Sequence, residues 1–186
     1  FTQGHSYLNE GEFATITQVI SVERERAADL ERHFTTWDDG ASVQDVNRNY
    51  WGVTFVDNDR FYATIGSGES TSIVEGQISR GRLDVVFEDA SCPEVSPDGS
   101  TIVAKDMLDE SMRLVAIDTT TGERRPLGET RFVDDQVEWL DDDTILYAMP
   151  NEDGSAAEPG FDIWLLDTAP GSTPRLLVPF ASSPAA

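Results

Sequence analysis

The fold of this chain is decided by Pro93-Glu94-Val95-Ser96-Pro97-Asp98-Gly99-Ser100-Thr101-Ile102-Val103-Ala104. In this stretch a short apolar segment is followed by a polar turn and then by a second apolar segment. Pro97 presets φ at the first central position of the turn, and Gly99 supplies the left-handed conformation that starts a bulge. The stretch therefore predicts two antiparallel strands joined by a tight hairpin.

The same strand-turn-strand pattern occurs twice more, in residues 53–63 and 137–148. Phe55, Val95 and Trp139 hold the same position in the three copies, with separations of 40 residues (95 minus 55) and 44 residues (139 minus 95). A period of this length, with about four strands in each unit, is typical of a propeller blade. We predict an all-β fold, a partial or small β-propeller of about three full four-stranded blades plus part of another.

The repeat also predicts the organisation of the chain. Residues 1–46 form an N-terminal lead-in segment with a partial blade, and a C-terminal tail follows the blades at about 47–90, 91–133 and 134–180. An incomplete ring exposes the apolar face of its end blade. We therefore expect further sequence, including sequence upstream of Phe1, or closure of the ring by a partner or by a second copy.

Local patterns before the first full repeat are weaker. Residues 1–12 have no period and predict a loop, whereas residues 13–22 are rich in β-branched side chains and predict a strand. Residues 23–33 are charged and favour a short helix over an irregular strand on propensity.

The charge balance limits the kinds of partner. The 186 residues include 35 acidic and 13 basic side chains, which gives a net charge of −22. Such a surface repels nucleic-acid phosphates and attracts cations and basic proteins. We therefore expect no nucleic-acid partner. Acidity alone leaves two interpretations open: a solvated surface suited to solubility, or else a cation site or a docking face for a basic partner. No run of apolar residues is long enough to cross a bilayer, so we predict no direct membrane span in this chain.

Residues for nucleophilic catalysis are scarce. A serine or cysteine nucleophile needs a base, and the two histidines, His5 and His33, both lie outside the repeats. Cys92 is the single cysteine, so it cannot form an intrachain disulfide, and we interpret it as a small buried residue. We therefore predict no catalytic residues.

Carboxylates are the remaining candidates for metal chemistry. Ca²⁺ prefers carboxylate and carbonyl oxygens, which residues 57–59 and 134–135 could supply, although such residues are also typical of solvated turns. Glu94 and Glu138 hold the same repeat position and are weak candidates for a metal or paired-carboxylate site near a channel wall. We predict no cofactor, with Ca²⁺ as the alternative.

Two motifs carry a family resemblance. The turn at residues 96–99 with the apolar residues 102–104, and Asp162-Ile163-Trp164 in a later strand, resemble the WD40-like propeller repeat of TolB-type proteins. That repeat pairs an S-P-D-G turn with a D-I-W strand. A narrower similarity, to TolB-like propeller proteins of actinobacterial cell envelopes, is seen in residues 49–55, 61–64 and 133–143.

The resemblance implies an extracytoplasmic protein, secreted or membrane-anchored, that acts as a non-catalytic scaffold. Its partner would be another protein, alone or within a larger envelope complex. We expect the contact surface in the loops before the inner strands, with candidate residues Arg48, Asn49, Cys92, Asp135 and Gln136. The alternatives are a metal-dependent hydrolytic propeller and the propeller domain of a prolyl-oligopeptidase-like peptidase.

Overall fold

The computed structural model describes residues 2–5, 14–21, 26–45, 47–68, 70–107, 112–134, 136–151 and 160–184. These residues form short strands in four sheets, which confirms the predicted all-β class. The chain divides into two compact units, residues 1–92 and residues 93–186. The domain boundaries drawn from the repeat stay a prediction.

The first unit begins with a three-stranded antiparallel sheet made of β1 (Thr2–His5), β2 (Ala14–Ser21) and β3 (Arg26–Asp29). The strand predicted at residues 13–22 is confirmed in β2. The predicted N-terminal loop was wrong for β1, because this segment becomes a strand only by pairing with β2, a contact that no local period reveals.

The helix predicted at residues 23–33 is confined to one turn, α1 (Leu30–His33). The preceding β3 pairs with β2 instead, which overrides its helix propensity. Residues 23–25 lie outside the described part of the chain.

A six-stranded sheet completes the first unit, in the order β5-β4-β9-β8-β7-β6. Its members are β4 (Thr35–Asp38), β5 (Ala41–Ser42), β6 (Asn49–Phe55), β7 (Arg60–Ser67), β8 (Ser70–Gln77) and β9 (Arg82–Glu88). Strands β6 to β9 form an antiparallel blade-like run, and a 3-10 turn at Ile78–Arg80 joins β8 to β9. Strand β4 then adds in parallel to the outer edge of β9, an addition that the repeat did not predict.

The second unit contains most of two four-stranded sheets, each with its strands in chain order. They are β10 (Ala90–Val95), β11 (Thr101–Asp106), β12 (Leu114–Asp118) and β13 (Arg124–Pro126), and then β14 (Glu138–Trp139), β15 (Thr144–Pro150), β16 (Phe161–Asp167) and β17 (Arg175–Val178). The boundary between the units falls within β10. Four antiparallel strands in a meander are what the repeat predicted.

The three predicted hairpins begin with the same backbone hydrogen bond. Phe55, Val95 and Trp139 are the last residues of β6, β10 and β14. After each of them, the next backbone N–H donates to the carbonyl of the first residue of the following strand, over 3.0, 2.8 and 2.9 Å. Their burial differs, because Phe55 is 53% exposed whereas Val95 and Trp139 are each 6% exposed.

Each unit has its own apolar core. The core of the first unit contains Val19, Leu30, Phe34, Tyr50, Phe61, Ala63, Ile65, Val74 and Leu83. In the second unit, side chains of β11 and β12 pack against side chains of β14, β15 and β16, including Trp139, Ile145, Tyr147 and Leu166. Each such side chain contributes about 1.5–3 kcal/mol when it is buried, so these clusters hold the sheets in place.

The turn at Gly99 gives a first testable expectation. Gly99 has φ of 75°, the left-handed conformation that the sequence predicted. A Cβ disfavours this conformation by about 1–2 kcal/mol, whereas asparagine adopts it more readily than alanine. We expect Gly99→Ala to lower the free energy of unfolding by about 1 kcal/mol in urea titration, and Gly99→Asn to lower it by less. Equal losses in the two variants would contradict this account of the turn.

Candidate functional site

The segment before β6 is held by the side chain of Arg48. Arg48 is half-buried, and its Nη1 donates to the carbonyl oxygen of Val43 at 2.6 Å, while Nη2 reaches the carbonyl oxygen of Glu31 at 3.5 Å. Two backbone acceptors therefore fix the position of a cation in a strongly acidic chain.

Asn49 begins β6 and faces inward. It is buried, its Oδ1 accepts the Thr15 N–H at 2.8 Å, and its Nδ2 donates to the carbonyl oxygen of Asn47 at 3.0 Å. Its amide is therefore used to join β2 to β6, and contact with a partner would fall to neighbouring side chains.

A buried polar seam continues this connection, and the sequence patterns did not reveal it. Thr17 donates from Oγ1 to the carbonyl oxygen of Tyr50 at 2.5 Å, and the Tyr50 N–H donates to Thr15 Oγ1 at 2.9 Å. The Tyr50 hydroxyl lies 2.6 Å from Thr36 Oγ1. Burial raises the pKa of Tyr50, so the phenol stays neutral. The seam fixes β2 on β6, an edge strand of the six-stranded sheet.

Cys92 lies in β10 with a left-handed backbone, φ 51°. Its N–H donates to Thr64 Oγ1 at 2.8 Å, and its thiol is free and half-buried. Cys92 is therefore less buried than its interpretation as a small buried residue predicted.

Gln136 precedes β14 in the second unit and ties its loop to β10. Its Nε2 donates to the Pro93 carbonyl at 2.9 Å and to Glu94 Oε2 at 2.7 Å. Trp139 Nε1 donates to the Glu94 carbonyl at 2.9 Å. The structure thus brings together Gln136 and Glu94, two residues that the sequence had assigned to different roles.

The other candidates of the second unit are placed differently. Glu138 is half-buried in β14, where its backbone pairs with Leu146. Asp135 lies outside the described residues. Within the described ranges, no group of three or more His, Cys, Asp or Glu side chains is arranged to hold a metal ion.

The carboxylates of the acidic turn at residues 57–59 accept hydrogen bonds from nearby backbone N–H groups. Asp57 Oδ1 accepts the N–H groups of Asp59 and Arg60 at 2.8 Å each, and these bonds lower the pKa of Asp57 to about 2. Asp59 accepts the N–H of Ser79 at 2.6 Å, which lowers the pKa of Asp59. The carboxylate oxygens of Asp57 and Asp59 therefore stabilise the turn, in line with the interpretation of this segment as a turn.

A charged cluster in the second unit was missed by the sequence patterns. Glu129 is 1% exposed and accepts hydrogen bonds from Arg131 Nε at 2.9 Å, from Arg131 Nη2 at 2.6 Å and from the Tyr147 hydroxyl at 2.6 Å. The Arg131 guanidinium lies 4.1 Å from the centre of the Trp164 ring. No repeat signal marks Glu129, since the residue ten positions before Val95 is Val85 whereas the residue ten before Trp139 is Glu129.

The electrostatics of this cluster favour a structural role. Burial acts to raise the pKa of Glu129, but hydrogen bonds from Arg131 and Tyr147 outweigh it and lower the pKa below its usual value. Burial and the Glu129 carboxylate raise the pKa of Tyr147. A general base works best with a pKa near the working pH, so a carboxylate of lowered pKa with its oxygens occupied is poorly suited to that role.

The side chain of His33, one of the two histidines, forms a hydrogen bond with the backbone. Its Nδ1 accepts the Asp29 N–H at 2.9 Å, at the start of the single helical turn. The ring therefore supports the junction between β3 and α1.

Among the described residues, no helix is long and apolar enough to span a membrane.

Several solved structures are similar to this chain in fold. TolB from Acinetobacter baumannii matches with a TM-score of 0.61 and 12% identity, over 92% of this chain and 42% of that chain. A putative TolB from Agrobacterium tumefaciens matches with a TM-score of 0.55 and 12% identity, over 91% of this chain and 57% of that one. An acylaminoacyl peptidase matches with a TM-score of 0.52 and 16% identity, over 65% of this chain and 23% of that one. No family model and no curated protein matches the chain.

The repeated four-stranded sheets and these likenesses define the fold as a β-propeller, present in part. More particularly, it is a TolB-like β-propeller, so the predicted resemblance is confirmed for the fold. The narrower likeness to actinobacterial envelope proteins stays a prediction. The chain spans 42% and 57% of the two TolB chains that it matches.

Proposed function

We propose that the chain is a non-catalytic scaffold that binds another protein in the cell envelope, outside the cytoplasm, without a cofactor and without nucleic acid. Its contact surface would be the loops before the inner strands, which are β6, β10 and β14. The observation that carries this proposal is the fixed guanidinium of Arg48, a half-buried cation held by the carbonyl oxygens of Val43 and Glu31. A pre-positioned arginine loses little side-chain entropy on binding, and arginine is enriched among residues that dominate interface energies.

The other candidate residues act within their own units. Gln136 is the counterpart in the second unit, where its bonds to Pro93 and Glu94 hold the segment before β14. Asn49 and the Cys92 backbone keep their segments in register through Thr15 and Thr64. Asp135 remains a proposed contact from the sequence alone.

The test is capture of a partner from envelope extract with the full-length protein, followed by a titration with the purified partner. We expect Arg48→Ala to weaken binding about tenfold or more. Arg80→Ala is the matched control, because Arg80 is an exposed arginine in the 3-10 turn of the same unit. Failure to recover any partner, or equal weakening by both substitutions, would contradict the proposal.

The likeness to the acylaminoacyl peptidase favours a second candidate, the propeller domain of a peptidase. In that case the chain would accompany a hydrolase domain and would not carry the chemistry itself. Reading the coding sequence on either side of residues 1–186 decides this, since a hydrolase domain in the same precursor would support it. The metal-dependent alternative predicts stoichiometric Ca²⁺ in elemental analysis and hydrolase activity that chelation removes.

A further inference from the structure

The only lysine of the chain is buried in the second unit. Lys105 lies in β11, opposite Leu114 in β12, and is 7% exposed. It is on the same side of β11 as Val103, whose side chain belongs to the apolar core. Lysine is rarely buried to this extent unless it is paired, because removing an ammonium from water is costly. The partners of Lys105 therefore decide what this residue does.

Protein groups satisfy this ammonium only in part. Lys105 Nζ donates to the carbonyl oxygen of Asp134, in the segment before β14, and lies 5.9 Å from the centre of the Phe132 ring. An ammonium has three donors, so a single carbonyl oxygen leaves two of them without a protein acceptor in the described part of the chain. Among the same residues, no carboxylate forms an ion pair with Nζ.

Two other cations of the second unit are paired with carboxylates, although they are less buried. Arg124 Nη1 lies 3.3 Å from Asp106 Oδ1. Arg131 Nη2 lies 2.6 Å from Glu129 Oε2. Both arginines are half-buried, whereas Lys105 is buried. A buried cation without a carboxylate partner lowers stability, and a position that keeps such a cost in a chain with 35 acidic side chains is a candidate for function.

The ammonium lies near the surface beside the segment before β14. The Phe132 ring that faces Nζ is 45% exposed, so the ammonium is close to solvent despite its burial. Gln136, a candidate contact residue, belongs to the same segment and is held there by its bonds to Pro93 and Glu94. A partner group that contacts this segment therefore meets the ammonium and the aromatic ring together.

We propose that Lys105 and Phe132 bind a carboxylate of a partner protein, with an apolar side chain beside the carboxylate packed on the Phe132 ring. A hydrogen bond between charged groups is roughly twice as strong as one between neutral groups, and exclusion of water strengthens it. The carboxylate also supplies the acceptor that the remaining donors of Nζ lack. This inference rests on the proposed binding function and names a partner chemistry for it.

Charge constrains the rest of the partner segment. The net charge of −22 repels an acidic segment, so we expect the carboxylate to lie in a segment that is otherwise neutral or basic. The Debye length at physiological ionic strength is about 8 Å, so salt screens the distant acidic side chains more than it screens the contact at Nζ. An acidic side chain and a C-terminus present the same carboxylate group, and separate probes distinguish them.

The probes are short synthetic peptides, titrated into the full-length protein by calorimetry. The first has a central glutamate flanked by leucine and then by lysine, with both ends blocked, and the second has glutamine in place of the glutamate. The third has no glutamate and ends in leucine with a free C-terminal carboxylate. We expect a carboxylate peptide to bind about tenfold more tightly than the glutamine peptide, and the tighter of the two carboxylate peptides identifies the source of the group. Equal dissociation constants for all three peptides would overturn the proposal.

Lys105→Met removes the charge and keeps a side chain of similar length. We expect it to raise the Kd of the carboxylate peptide about tenfold, to the value for the glutamine peptide. Without peptide, the urea midpoint of Lys105→Met should equal or exceed that of wild type, because a buried charge without a carboxylate partner is gone. A purely structural lysine predicts a lower midpoint with unchanged peptide binding, which would overturn the proposal. Arg175→Met is the matched control, because it removes an exposed charge from the same unit, and we expect it to change the Kd by no more than about twofold.

Phe132→Ala keeps the ammonium and removes the exposed ring, so it tests the apolar half of the site without disturbing the core. We expect it to raise the Kd of the carboxylate peptide about fivefold. Replacing leucine by alanine in the peptide should weaken binding to wild type more than binding to Phe132→Ala, because the two apolar groups form one contact. Equal weakening in the two proteins would overturn the packing of the partner on this ring.

NMR of isotope-labelled lysine locates the bound carboxylate. We expect the Lys105 Cε resonance, assigned by its loss in Lys105→Met, to shift when the carboxylate peptide is added and to stay in place with the glutamine peptide. A bound carboxylate peptide that leaves this resonance unchanged would overturn the proposal.

The two binding proposals fail separately. A natural partner that binds wild type and Lys105→Met equally, yet is lost with Arg48→Ala, would remove Lys105 as its site and leave the scaffold function standing. Failure to capture any partner, with peptide binding at Lys105 intact, would count against the scaffold function alone.

Discussion

Replacing Glu129 by alanine is expected to lower the free energy of unfolding of the second unit by about 3 kcal/mol. The truncation leaves the buried Tyr147 hydroxyl without its acceptor. It also removes the carboxylate that accepts hydrogen bonds from three nitrogen atoms of Arg131, namely its backbone N, Nε and Nη2. The Arg131 side chain is partly exposed, which keeps the loss below that of a fully buried pair. Urea unfolding followed by tryptophan fluorescence would measure the effect, since Trp139 and Trp164 lie in or against the same core.

Glu129→Gln separates charge from shape in this cluster. The amide keeps an acceptor for Tyr147 but loses the charge opposite Arg131, so we expect a smaller loss than with alanine. The pKa of Glu129 is lowered from 4.5, so its contribution to stability is fully present above about pH 4.5 and is lost as pH falls through the lowered value. Wild type should therefore lose stability more steeply than Glu129→Gln below pH 4.5. Parallel pH profiles for the two proteins would contradict this role.

Gly76→Ala is expected to destabilise the first unit by about 3 kcal/mol. Gly76 lies opposite Phe61 in the pairing of β7 with β8, and a Cβ at this position would lie 2.2 Å from Phe61 Cζ. The Phe61 ring is fully buried and packs edge to face against Phe34, at 6.0 Å between centroids, so it cannot move aside without disturbing the core. Thermal and urea unfolding would measure the loss.

A double-mutant cycle tests whether the Phe61 ring causes this loss. Phe61→Leu leaves a cavity by itself but gives an added methyl group room, so the double variant should be more stable than the sum of the single losses predicts. Gly160→Ala is the control, because its Cβ would meet its nearest neighbours at 3.6 and 3.8 Å, which are ordinary contact distances. Strict additivity in the cycle, or an equal loss in Gly160→Ala, would contradict the steric explanation.

The predicted strands and turns were most accurate where the signal was local and repeated. The hairpin after Val95 follows from Pro97 and Gly99, whose backbone preferences act within four residues. The strands after Phe55 and Trp139 followed from the same pattern, because an apolar run between turn residues predicts a strand wherever it occurs.

The site was predicted less completely, because its residues act through partners distant in sequence. Asn49 bonds to Thr15, which lies 34 residues earlier, and Gln136 bonds to Glu94, which lies 42 residues earlier. Glu129 lies between β13 and β14 and carries no repeat or motif signal, and its role depends on Tyr147 in β15.

The sequence by itself determined the repeating unit and its turns, because proline, glycine and apolar periodicity restrict the backbone through short-range sterics and burial. Only the tertiary structure decided that β1 is a strand and that β4 adds in parallel beside β9. Pairing of a short strand is governed by the free backbone groups of whatever edge lies beside it in space, and a linear pattern holds no information about that neighbour.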